Sequence, residues 1–249
     1  MAAFLRAAIA VILVADAYLL VGDRARVVPV RDAIEDFSHG EFSTTPPLPA
    51  AGVYAYDTTG SARVDRLSIR RRFPATTTRT VRTGGSCGYQ ETVTIFREHV
   101  ETYDVCKDGN DAREAGFGTA MTFYRVRTSA SLDCGNGVTR AGGGMAPGES
   151  RTYECSGDGV RATVTATYEG TGTAVVDGTE VPCRRVVLAT LLTGSYDGST
   201  RRALCTDEAT GLVLAEERSA RVVLRTLVGR GTYTERATFR LRSLVPETA

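Results

Sequence analysis

Tryptophan is absent from this 249-residue chain, and lysine almost is: Lys107 is the one lysine among 30 basic residues. A skew that strong reflects GC-rich codon usage sooner than function. An excess of one charge sign is also missing. The net charge is +1, so no global field draws the chain to nucleic acid. Histidine is limited to His39 and His99. Neither stands near a cysteine pair at ligand spacing, and no C-x-x-C occurs, which argues against a zinc site. Neither a metal nor any other cofactor is implied.

Long apolar runs are missing too, except at the N-terminus. There Ala7 to Ala15 is unbroken, Asp16 interrupts, and Ala17 to Val21 resumes. Arg6 supplies a short positive flank. Residues 1–21 therefore read as a targeting segment, with two alternatives open. The first is an uncleaved signal anchor, a single-pass apolar helix that would be the chain's contact with the membrane. The second is a signal peptide cleaved at Ala15-Asp16-Ala17, releasing a secreted protein. The unbroken run is short of the roughly 20 residues of a spanning helix, and Asp16 would be costly at a bilayer centre. Yet Tyr18-Leu19-Leu20-Val21 would be an odd mature N-terminus. A lipidated cysteine is excluded, because the first cysteine is Cys87.

What is present is an even set of cysteines: Cys87, Cys106, Cys134, Cys155, Cys183 and Cys205. Downstream of a targeting segment this reads as three disulfides on the oxidising side of a membrane. The bulk of the chain is accordingly expected outside. Pairing of sequence neighbours is favoured: Cys87–Cys106, Cys134–Cys155 and Cys183–Cys205. Each interval holds a turn-like segment near its middle, so each bridge would tie two arms of one hairpin.

Residues 22–51 read as a stalk or linker. Pro29 to Phe37 would form a short helix, and Thr44-Thr45-Pro46-Pro47-Leu48-Pro49 would be extended. From residue 52 to 249 the pattern is period two, with no helical periodicity. Ala162, Val164, Ala166 and Tyr168 share one face with threonines on the other. Tyr233, Ala237, Phe239 and Leu241 repeat the arrangement. Asp108-Gly109, Asn136-Gly137, Asp158-Gly159, Asp177-Gly178 and Asp197-Gly198 read as hairpin turns. The expected fold is all-β: one long curved antiparallel meander of about ten or eleven strands, a half-barrel or a closed barrel-like sheet.

Catalytic motifs are weak. Gly84-Gly85-Ser86-Cys87-Gly88 matches G-x-S-x-G but lacks the strand-to-helix context of a nucleophile elbow. Gly143 to Ser150 echoes a phosphate loop with Glu149 where lysine is needed. Asp104 to Gly109 lacks the ligands of a calcium loop. His99 stands alone in a strand. An arginine comb, Arg221, Arg225, Arg236, Arg240 and Arg242, reads as a solvated face with an anionic headgroup or glycan as the rival occupant. The chain is expected not to be an enzyme.

Gly178-Thr179-Glu180-Val181, Val186-Val187-Leu188, Thr210-Gly211-Leu212-Val213-Leu214 and Phe239-Arg240-Leu241-Arg242-Ser243-Leu244 resemble bacterial envelope proteins with the Lol-type lipoprotein-carrier fold. The resemblance covers roughly residues 160–246. The whole chain, opening Gly52-Val53-Tyr54-Ala55-Tyr56 after its stalk, also resembles uncharacterised membrane-anchored envelope proteins of actinobacteria. The carrier fold implies a concave apolar face. Small inward alanines agree with an unfilled interior. Val164, Ala166, Tyr168, Tyr233, Ala237 and Phe239 are the expected lining for an apolar envelope ligand such as lipid. The alternative is a structural or sensory ectodomain that binds another envelope protein.

Overall fold

The structure, a computed structural model, describes residues 25–37, 48–65, 69–84, 88–108, 111–123, 126–226 and 229–247. The apolar run at 1–21 lies outside them. So do Cys87, the Gly85-Ser86 part of G-x-S-x-G, and Gly109 of the first expected turn.

One helix is described, α1 (Val30–Phe37), with Pro29 just before its first turn. The strands are β1 (Gly52–Val64), β2 (Ile69–Arg72), β3 (Thr76–Thr83), β4 (Gly88–Phe96), β5 (His99–Asp108), β6 (Asp111–Phe123) and β7 (Val126–Thr139). They continue as β8 (Ser150–Gly157), β9 (Val160–Val176), β10 (Thr179–Gly194), β11 (Asp197–Thr206), β12 (Val213–Thr226) and β13 (Gly229–Leu241). Each strand pairs antiparallel with its neighbour in sequence, apart from β2 and β3, which share one edge of β1. Backbone bonds from Phe73 to Gly60 and from Thr58 to Ala75 carry the ladder across the break at Pro74, so β2 and β3 act as one interrupted strand.

The other edge of β1 pairs with β13 from Tyr56↔Leu241 to Val64↔Tyr233. This closes the meander into a barrel and leaves no long free edge. Thirteen strands in one sheet exceed the ten or eleven that the turn signals mark. The difference lies in turns without a glycine signature, such as Arg97-Glu98 between β4 and β5.

Two of the expected turns have hairpin geometry. Asp158-Gly159 has φ of 48° and 71°, and Asp177-Gly178 has 50° and 72°. Positive φ at both central residues is the type I′ signature, which matches strand twist. Asn136-Gly137 is not a hairpin but lies inside β7, where the ladder to β6 skips from Val138 to Asp133. Asp197-Gly198 opens β11, and the chain reverses just before it.

The join between β7 and β8 is the thin place in the wall. Its ladder is a single pair, Asp133↔Ser156. The adjacent Cys134–Cys155 disulfide holds the two strands there, with Cα atoms 4.1 Å apart. Cys183–Cys205 joins β10 to β11. Both bridges are the expected sequence neighbours. Cys106 is also disulfide-bonded, and Cys87, its expected partner, lies outside the described residues.

Part of the segment read as a stalk packs on the barrel. Ala33 and Phe37 of α1 are buried with Val53. The Arg26 main-chain and side-chain nitrogens both donate to the Glu98 carboxylate.

Candidate functional site

Period-two patterning points one side of every strand inward, and the outward side of this barrel is polar. On β9 the outward positions are Arg161, Thr163, Thr165, Thr167 and Glu169. That is the reverse of the apolar outer band of a membrane-spanning barrel. Among the described residues no helix is long and apolar enough to cross a membrane.

A barrel of about eight strands is just filled by its own side chains, and this one is wider. Long charged side chains span the extra width. Arg79 on β3 donates to Glu91 on β4 at 3.3 Å, and Arg140, just after β7, donates to the same oxygen at 2.9 Å. Arg140 Nε lies 3.5 Å from Glu114 on β6. Arg202 on β11 donates to both Glu114 oxygens, at 2.9 and 3.0 Å, and to Glu216 on β12 at 2.9 Å. A bond from Arg79 to Glu216 closes the circuit. Three arginines and three glutamates thus alternate in a ring across the lumen. β6 and β11 stand on nearly opposite walls.

Guanidinium faces stack on rings as well. Arg79 lies 4.9 Å from the centre of Tyr56, and Arg202 lies 4.4 Å from that of Tyr103. Burial alone would raise the Glu216 carboxyl, but Arg202, Arg79 and Arg218 overcome it and bring it down to about 2. Glu91 is lowered in the same way, by Arg140 and Arg79 against its burial.

A second cluster adjoins the ring. Arg218 on β12 donates to Glu101 on β5 at 2.7 Å and lies 2.5 Å from Glu235 on β13. Tyr103 donates to Glu101 at 2.9 Å, His99 Nε2 is 3.2 Å from its other oxygen, and Tyr233 donates to Glu235. Burial opposes ionisation of Glu101, yet Arg218 and His99 hold it well below the ordinary carboxylate range.

Beside these charges the barrel interior holds a partly open cavity of about 200 Å³. Its wall is mostly apolar: Phe117, Met121, Ala130, Leu132, Val160, Ala162, Val164, Leu188, Leu192 and Val222, with the Cys134–Cys155 bridge. Its polar side is His99, Glu101, Glu114, Arg202, Arg218, Tyr233 and Glu235. An apolar cavity of about 150 Å³ already admits a benzene-sized molecule.

The expected lining residues divide. Val164 and Tyr233 are on the cavity wall, as is Ala162. Ala166 and Tyr168 do not line the cavity; they are buried further along the apolar cluster that Ala162 and Val164 also belong to, with Met145, Val186 and Leu204. The loop before β8 caps that cluster. Gly142, at φ 65°, sits so close that a Cβ there would come within 2.4 Å of the Tyr168 ring. Ala237 stands in register with Arg218, so the inward room beside it belongs to the charge cluster. The Phe239 ring centre is 4.8 Å from the Arg218 guanidinium carbon.

The inward charges escaped the sequence reading. The signal was present as phase. Glu91 lies between Tyr89 and Val93, Glu101 between His99 and Tyr103, and Glu235 between Tyr233 and Ala237, all on the buried side of their strands. Of the arginine comb, Arg221, Arg236, Arg240 and Arg242 are exposed. The Gly143–Ser150 segment is a loop in which Glu149 accepts from the Ala146 backbone at 2.9 Å. Asp104 to Asp108 belongs to β5. Among the described residues no cluster of His, Cys, Asp or Glu has the arrangement of a metal site.

No protein-family model matches this chain. No curated protein matches it either. Among solved structures, the hypothetical lipoprotein YmcC from Escherichia coli (K12) overlaps with a TM-score of 0.35 at 15% identity, over 87% of this chain and 99% of that one. A likeness at that level bears on neither chemistry nor ligand.

Proposed function

We propose that this chain is an extracytoplasmic, non-catalytic binding barrel. It takes an apolar envelope ligand, such as an acyl chain, into the interior, and its N-terminal segment either anchors it in the membrane or exports it. The observation that carries the reading is the apolar cavity bounded by Phe117, Met121, Ala162, Val164 and Val222. A compact core would fill such a space, since an unfilled apolar void forfeits contacts. The polar lining supports binding over catalysis. Glu101, Glu114 and Glu235 each pair with Arg218 or Arg202, and Glu101 is held ionised rather than poised to exchange a proton.

The test is native mass spectrometry of the full chain purified from its own host. A co-purifying apolar molecule, displaced by Nile red with matching stoichiometry, is the expected result. Protein that carries nothing and binds no neutral apolar probe would leave the cavity without a ligand and refute the reading.

A further inference from the structure

The outer wall carries a second concavity, which shares part of its wall with the lumen. It is a trough of about 970 Å³ running across β2, β1, β13, β12, β11, β10 and β9. The strand register builds it from two adjacent rows. In one row Arg70 faces Arg63, Arg63 faces Thr234, Thr234 faces Arg221 and Arg221 faces Ser199. In the other, Ser61 faces Arg236, Arg236 faces Ser219, Ser219 faces Arg201 and Arg201 faces Ala189.

All five arginines are exposed, and none has an ion-pair partner among the described residues. Glu235 reaches the trough only from beneath, because its carboxylate faces inward to Arg218. Outward carboxylates border the trough, with Asp65 two residues beyond Arg63, Asp197 two before Ser199, Glu217 two before Ser219 and Glu154 across from Thr163, but none stands within the two rows. Like charges set directly across a sheet repel, and Arg63 opposite Arg70 is such a pair. Arginines separated by one strand lie about 10 Å apart, still near the screening length at physiological salt. Neither row holds a carboxylate that would offset that repulsion. An anion seated in the trough would, and the forked guanidinium geometry suits phosphate, with serine and threonine hydroxyls between.

We infer that this trough binds a linear polyol- or sugar-phosphate chain. The array crosses five strands from β2 to β11, about 19 Å at ordinary strand spacing, which is longer than one phosphate group. Concavity fits a strand of polymer better than a flat bilayer. The trough residues include no aromatic ring, so the stacking platform of a single-stranded nucleic-acid site is missing from the described lining.

The probe is a synthetic glycerol-phosphate decamer, titrated against the full chain in nonionic detergent at several salt concentrations. Five arginine–phosphate contacts, at roughly 0.7 per charge for a flexible strand, give a log–log salt slope of about −3.5, or roughly 100-fold weaker binding between 50 and 200 mM salt. The triple variant Arg201→Ser, Arg221→Ser, Arg236→Ser keeps two contacts, and its loss over the same range falls to roughly 7-fold. The variant stays folded, with an unfolding midpoint no lower than that of the wild type because three repelling charges are gone, and lysine at the same three sites restores most of the slope. An unchanged slope in the triple variant, or no decamer binding by the wild type, overturns the proposal. So does arginine-dependent binding to phosphatidylglycerol vesicles without binding to the decamer, since the partner is then a membrane surface.

Discussion

Replacing Glu216 by glutamine removes one negative charge from the ring and changes almost nothing in size. The Glu216 side chain is 1% exposed, and its two oxygens accept from Arg202 and Arg79. The ring balances with three arginines against three glutamates. In the variant the ring itself is left with a net positive charge away from solvent, and the new amide turns at least one N–H toward a guanidinium. Breaking a buried ion pair from one side costs about 3–5 kcal/mol. The carboxyl itself gives a separate figure. Its displacement from 4.5 to about 2 corresponds to about 3 kcal/mol in favour of the charged form. The two point the same way, and a loss of this order is a large share of a typical domain's stability.

Urea unfolding at pH 7 with disulfides intact is the assay, with an unchanged slope and a lowered midpoint as the expected result. The informative control is the double variant Arg79→Met, Glu216→Leu. It leaves Glu91, Arg140, Glu114 and Arg202 as a neutral open chain. Apolar replacement of a balanced pair is often tolerated, so the double variant should be more stable than Glu216→Gln alone. A loss below about 1 kcal/mol for Glu216→Gln, or a double variant no better than the single one, would refute the claim that charge balance governs this interior.

Three further outcomes follow from the same geometry. Glu216, Glu91 and Glu101 have folded-state values below their unfolded ones, so they add stability above about pH 4.5 that drains away as pH falls toward 2; thermal melts from pH 7 to pH 2.5 should show a flat plateau and then a steep decline, and a decline beginning above pH 6 would point to other groups. Ala162→Phe should fill the cavity and abolish Nile red binding with the fold kept, whereas Ala166→Phe should destabilise the protein by overpacking its cluster, by about 1–3 kcal/mol; equal effects of the two on probe binding would contradict the placement of the cavity. Peptide mapping should recover Cys134–Cys155 and Cys183–Cys205, and replacing the first pair by serines should cost about 3 kcal/mol and speed amide exchange at Ser131 to Asp133, because that bridge supports a one-pair ladder.

The meander was legible because alternation and turn chemistry are local. Val160 to Tyr168 alternates buried and less buried positions along β9 as its sequence predicts, and the Asp-Gly turns at 158 and 177 are where tight reversals occur. That so long a sheet curls or closes was expected from its length, but the pair of strands that closes it was not legible. Pairing of Tyr56 with Leu241 joins residues 185 apart, and no local pattern in β1 names β13 as its partner. The charged interior was missed for a different reason. Reading inward faces from apolar residues alone skips Glu235 between Tyr233 and Ala237, although the pleat points it the same way. Small residues were a partial guide to the cavity. Ala162 lines room that stays open, while Ala166, four residues along the same strand, is fully buried away from it, and nothing local to either alanine marks the difference.

The use of arginine gains a physical meaning from this arrangement that codon bias does not supply. On β11, Arg201 points out and Arg202 points in; on β12, Arg218 points in and Arg221 out. The inward pair serves the fold. Each inward guanidinium meets carboxylates from two other strands, and the fork geometry lets one side chain tie both. A lysine ammonium, more strongly hydrated and without the planar fork, would be dearer to bury and would bridge less well. The outward pair sits in the trough with no carboxylate partner among the described residues. The same residue type, one pleat apart, therefore stands in two electrostatic states: neutralised where water is excluded, and unneutralised where a ligand has access. Neutralisation by glutamate inside is what allows a barrel this wide to close around a cavity. The unpaired charge outside does nothing for closure, and an anion seated in the trough would offset its repulsion.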